Sequence, residues 1–201
     1  MPRIDWRLAA KGFAGFLVGL AVWVLLSPLY DRFVSASAAK LLRAFEKPPV
    51  THLRPAEDEF VTVDRSDFDR RSKRPAISVR DLTFNIVLLI ALFAASKRTF
   101  SDRNIAGFAA ALALLAVTHI LGIATEVMSI YVAKLGMWST VHYSDFDRNL
   151  WGVLNHFYRL VFMYAIAFAL WWIFRDPAAA PTPKAARKTK GRNASAHRGG
   201  R

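Results

Sequence analysis

Six polar side chains sit within or at the edge of long apolar runs, and their types can do chemistry. They are Asn85, His119, Glu126, Asn155, His156 and Arg159. Histidine and glutamate can exchange protons near neutral pH. Ionisable groups inside a bilayer are costly and therefore point to function or to a specific partner. Spacing adds to residue type. His119 and Glu126 are seven apart, two helical turns, and share a face. Asn155 and Arg159 are four apart, and His156 and Arg159 three. If these faces turn inward, the six form one cluster near the outer leaflet. It is then a substrate pocket or a proton-handling site. The competing reading is adhesion between helices, with Arg159 compensating Glu126 and His and Asn satisfying each other. Such contacts are worth roughly 0.6–2 kcal/mol each. Two histidines and one carboxylate are a conceivable metal set, but no HExxH-type spacing supports it, and no metal, cofactor or catalytic residue is assigned. The chain has no cysteine, which removes disulfide and thiolate chemistry.

The elements that must position these residues are four apolar stretches, at about 12–30, 82–96, 105–125 and 150–174. A spanning helix needs about 20 apolar residues. The first, third and fourth reach that length, and the second is short. Charge argues that all four cross. The N-terminus carries Arg3, Arg7 and Lys11 against Asp5, and the turn before the third stretch carries Lys97, Arg98 and Arg103 against Asp102. The tail from Arg175 adds eight Lys or Arg against Asp176. Basic loops stay cytoplasmic, and four crossings place all three segments on that side. The sequence thus predicts an all-α polytopic membrane protein in a prokaryotic inner membrane, with both termini cytoplasmic. The N-terminal run is expected to be an uncleaved signal anchor.

Residues 31–81 are expected to form a small extracytoplasmic subdomain. Pro28 and Asp31 mark the exit of the first span. Val34, Ala38, Leu41 and Phe45 then recur at helical spacing, predicting an amphipathic helix along the outer surface. Glu59–Asp64 and Ala76–Arg80 alternate in polarity and predict a β-hairpin. The third helix is expected to continue as Glu126–Leu135, with Gly136 as its stop. Gly15 and Gly19 form a small-xxx-small pair that lets two helices approach closely, although glycine is also simply common in membrane helices. Residues 1–175 are read as the membrane domain and 176–201 as a disordered basic cytoplasmic tail. The tail lacks interleaved aromatics, so it suggests contact with anionic headgroups rather than specific nucleic-acid recognition.

The segment Ser-Asp-Phe-Asp-Arg occurs at 66–70 and again at 144–148. Asp-x-Asp can hold a divalent cation. At 144–148 the preferred reading is a helix cap, with Ser144 or Asp145 starting the helix that becomes the fourth span. Residues 66–70 have no such explanation.

Two stretches carry a resemblance. Leu82–Arg103 (LTFNIVLLIALFAASKRTFSDR) is a short Asn-bearing helix leading to a basic turn, and Tyr158–Trp172 (YRLVFMYAIAFALWW) ends the last helix. Together they resemble small membrane proteins that accompany exosortase and archaeosortase systems. Sortases of that class are similar in having histidine and arginine near the outer face, but they depend on a cysteine that this chain lacks. The resemblance therefore implies an accessory or scaffolding role. The expected function is a non-catalytic subunit that binds another integral membrane protein and membrane lipids. The alternative is a membrane-embedded enzyme or small transporter using the polar cluster.

Overall fold

The computed structural model describes residues 6–56, 60–68, 74–96 and 99–175. The last 26 residues, read above as a tail, lie outside these, as do Glu59, Asp69, Arg70, Lys97 and Arg98.

The chain opens with a 40-residue helix, α1 (Trp6–Phe45). At 1.5 Å per residue it is about 60 Å long, twice the depth of a hydrocarbon core. Pro28 lies inside it. Proline has no N–H, so the carbonyl four residues back, that of Val24, loses its helical donor. The Ser27 hydroxyl donates to that carbonyl at 3.3 Å, and Arg80 in turn donates to the Ser27 oxygen at 3.0 Å. The helix therefore runs on. Residues 34–45 are not the separate surface-lying helix that the pattern suggested. They continue α1, and Val34, Ala38 and Leu42 are buried in the core.

The segment after α1 holds three strands, β1 (Thr51–Pro55), β2 (Phe60–Arg65) and β3 (Ala76–Ser78), in the order β1-β2-β3. Both pairings are antiparallel, with Leu53 opposite Val63 and Val61 opposite Ile77. The expected hairpin is thus β2–β3, and the fold is mostly helical with a small sheet rather than all-α. The unforeseen strand, β1 (THLRP), has polar residues and a proline that hide it. As an edge strand it tolerates both.

Ser78 accepts from the Asp81 N–H and starts α2 (Val79–Thr83). Phe84 separates it from α3 (Asn85–Ala94). The two together extend about 24 Å, less than a bilayer core. Ser101 caps α4 (Asp102–Ala133), which carries the third stretch past residue 125. Gly136, at φ 59°, turns the chain into the short α5 (Met137–His142). A capping box follows, with the Ser144 side chain accepting from the Asp147 N–H and the Asp147 carboxylate accepting from the Ser144 N–H. It opens α6 (Asp145–Phe157), which passes through a π-turn (Tyr158–Phe162) into α7 (Met163–Phe174). Three helical runs are long and apolar enough to cross a membrane: Trp6–Phe45, Asp102–Ala133 and Asp145–Phe174.

Two apolar clusters hold the elements together. The outer one, on the side of the sheet, joins α1, the sheet, α2 and α4 through Val34, Val63, Leu82, Val127 and Tyr131. The inner one joins α3, α4 and α7 through Leu89, Phe93, Leu115 and Ala167. Gly15 lets α1 settle onto α3, since a Cβ there would collide with that of Ala94. Gly19 sits on Ile90, whose Cβ would lie 3.2 Å from an added methyl. Gly122 does the same for the Tyr158 ring between α4 and the π-turn.

Candidate functional site

Along α4, His119 falls between Leu115 of the inner cluster and Ile123 of the outer one. It is fully buried. Its Nε2 lies 2.6 Å from Asn85 Oδ1, and its Nδ1 lies 2.8 Å from the Tyr30 hydroxyl. An amide oxygen only accepts, so Nε2 carries the proton and donates to Asn85. Nδ1 is then the acceptor and Tyr30 the donor. The Asn85 amide nitrogen donates onward to the Met163 carbonyl at 2.7 Å. One neutral hydrogen-bond chain thus ties α1, α4, α3 and α7. It uses both ring nitrogens of His119, leaving neither for a metal or a substrate.

Glu126, two turns further out, belongs to a second group. Its Oε2 lies 3.7 Å from Arg159 Nε and its Oε1 lies 4.0 Å from Lys134 Nζ. Glu126 is buried, and Arg159 is half-exposed. No hydrogen bond reaches Glu126 Oε2, nor the buried Asn155 Oδ1, among the described residues. His156 does not join either group. It is exposed, and its Nδ1 lies 2.8 Å from its own helix's Gly152 carbonyl. Its three-residue spacing to Arg159 spans the π-turn, and α6 presents His156 outward. The six residues thus divide into Asn85 with His119, Glu126 with Arg159, a buried Asn155, and an outward His156. Spacing along each helix could not reveal Tyr30 and the Met163 carbonyl, because their roles depend on how helices pack.

Sequence reasoning also passed over Arg65. Its side chain is 12% exposed, and its guanidinium lies 4.9 Å from the ring centres of both Tyr131 and Trp138. Its Nε and Nη2 donate to the two Asp67 carboxylate oxygens at 2.8 and 2.9 Å, a bidentate fork. Glu46 at the end of α1 approaches at 3.4 Å. Burial opposes the charge on Arg65, yet hydrogen bonding and attraction from Asp67 outweigh it and hold its pKa above the ordinary value. The same fork, the Arg65 hydrogen bond first, lowers the Asp67 carboxyl. Thr51 hydrogen-bonds Glu46 and, at 2.8 Å, the Tyr131 hydroxyl, and burial pushes the Tyr131 phenol up to about 12. Phe68 packs edge-on against Tyr131 and Trp138. The first Ser-Asp-Phe segment therefore closes this box around Arg65, while the second, at Ser144, caps a helix. The arrangement is structural. It fastens the sheet to the C-terminal ends of α1 and α4.

Arg148, Asn149, Gly152, Val153, His156 and Phe157 line a shallow groove on the outward face of α6, and among the described residues nothing lies within 4 Å of a Cβ built on Gly152.

The family described as exosortase H-associated membrane protein matches residues 5–177. No curated protein and no solved structure matches the chain.

Proposed function

Because this chain belongs to the exosortase H-associated membrane proteins, we propose that it is a non-catalytic accessory or assembly subunit. It binds an integral membrane protein that processes or exports envelope proteins, an exosortase, through its helices and outer segment. The family match over nearly the whole described chain carries this reading. The saturated chain at His119 supports it, since a general base with both nitrogens engaged by neutral partners is poorly placed to act. The outward α6 groove supports it too. Asn149 and His156 are exposed there and offer polar contacts to a protein partner.

This reading includes four crossings of a prokaryotic inner membrane, with α2 and α3 supplying the second. Both termini are cytoplasmic, and the basic tail touches anionic headgroups. The spacing of basic segments supports that topology.

The test is co-purification of the exosortase with the tagged protein. Gly152→Leu fills the groove and should reduce recovery about tenfold without changing the melting temperature. His119→Ala and Glu126→Gln should lower stability and recovery together, by about 2–4 kcal/mol for the histidine, which loses two interhelical contacts and leaves a cavity. A stable, fully assembled but inactive His119→Ala variant would instead favour a membrane-embedded enzyme or transporter using the polar residues.

A further inference from the structure

Between the outer halves of α1 and α4 and the start of α6 lies a cavity of about 720 Å³. Its lower walls are Leu121, Thr125 and Met128 of α4, with Trp151 of α6 and Leu41 and Phe45 of α1. Its upper end is polar and carries Glu46, Lys47 and Arg65.

Depth constrains what can enter. The stretch of α1 free of charged residues runs from Lys11 to Asp31, and that of α4 from Arg103 to Glu126. The outer edge of the hydrocarbon therefore falls near Asp31 and Glu126. The cavity starts at that edge, beside Leu121 and Thr125, and rises beyond it to Lys47. Trp151 and Tyr143 also line it, residues that favour the headgroup level.

Size constrains it further. A helix with its side chains is a cylinder about 10–12 Å across that advances 1.5 Å per residue, so the cavity would hold only about five residues of one. A spanning segment does not fit. A single polymethylene chain, far thinner, enters lengthwise. Ligand pockets of this volume are typically apolar with a few polar groups at one place, as here.

We propose that this cavity binds one acyl chain of an outer-leaflet phospholipid. The chain runs down the apolar wall toward Leu121, and the phosphate lies at the upper end beside the Lys47 ammonium. Arg65 is already held by Asp67 and Glu46, so Lys47 supplies the cation for the headgroup. The lipid joins α1 to α6, which among the described residues contributes none of the buried members of the outer apolar cluster.

The test uses the full chain in phosphatidylethanolamine–phosphatidylglycerol vesicles containing a phosphatidylglycerol with a photoreactive diazirine in mid-chain. Peptide mapping after irradiation should concentrate label on Thr125, Met128 and Trp151. Thr125→Trp and, from the opposite wall, Leu41→Trp each fill the cavity and should cut that label about tenfold, with Leu114→Trp on the lipid-facing side of α4 as a control without effect. Lys47→Glu should weaken it too. Melting temperatures identify any variant that fails to fold, and the other filling variant then decides. Label spread evenly over the outward faces of α1, α4 and α7, or unchanged in the folded filling variants, would overturn the proposal. So would a photoreactive amino acid at Met128 that captures a co-expressed partner polypeptide while the lipid label disappears.

Discussion

Arg65 shows how one residue can hold an entire outer segment. Its guanidinium is charged, nearly buried and surrounded by aromatic faces, and it is tolerable there because Asp67 takes its fork and Glu46 adds a second carboxylate. A lysine keeps the charge but loses both the paired N–H donors and the planar stacking. Stability should respond to pH at both ends. The Asp67 carboxyl is depressed, so its contribution is complete above the ordinary carboxylate range and is lost as pH falls through its lower folded value. The Tyr131 phenol is raised to about 12. An unfolded tyrosine ionises near 10, so stability is full below that and declines between pH 10 and 12, by on the order of 2–3 kcal/mol. Thermal unfolding in detergent across pH 9–12 should show this decline in the native chain and a weaker one in Tyr131→Phe. An identical alkaline profile in Tyr131→Phe would assign the decline to other groups.

At the scale of elements, two devices decide whether helices start and meet. Ser144 begins α6 through a reciprocal capping box. Ser144→Ala removes the acceptor for the Asp147 N–H and should cost about 1 kcal/mol. The glycines act between helices. Gly15→Leu has no room against Ala94 and must push α1 off α3, so it should cost more than the cap, roughly 1–3 kcal/mol from overpacking. Ranking the two variants by urea or thermal unfolding checks this, and equal losses would mean that the α1–α3 seam yields easily. The sequence made the cap legible because a capping box is a matter of residues three apart. The continuity of α1 through Pro28 was hidden. A proline in sequence reads as a break, and only Arg80 and Ser27, brought together across 53 positions, show why the helix persists.

For the whole molecule, the arrangement is a bundle of apolar helices crowned by a small sheet, with one neutral polar layer between two apolar clusters. The proposed four-crossing orientation predicts that a reporter fused after Arg201 is active in the cytoplasm only, and one inserted near Arg70 outside only. An external signal at the C-terminal fusion would remove α2 and α3 from the count of crossings. The sequence alone determined that this is a membrane protein with several apolar helices, because hydropathy and run length are properties of consecutive residues. Its resemblance to exosortase-associated proteins was likewise legible in two contiguous stretches, and the family match bears it out. Only the tertiary structure decided which polar residues meet. His119 found Tyr30 from 89 positions away and Asn85 from 34, while His156, three residues from Arg159, turned outward. The helical period states which side chains share a face, but not what that face meets. Arg65 draws its partners from α1, the turn after β2, α4 and α5, a convergence produced by packing rather than by spacing.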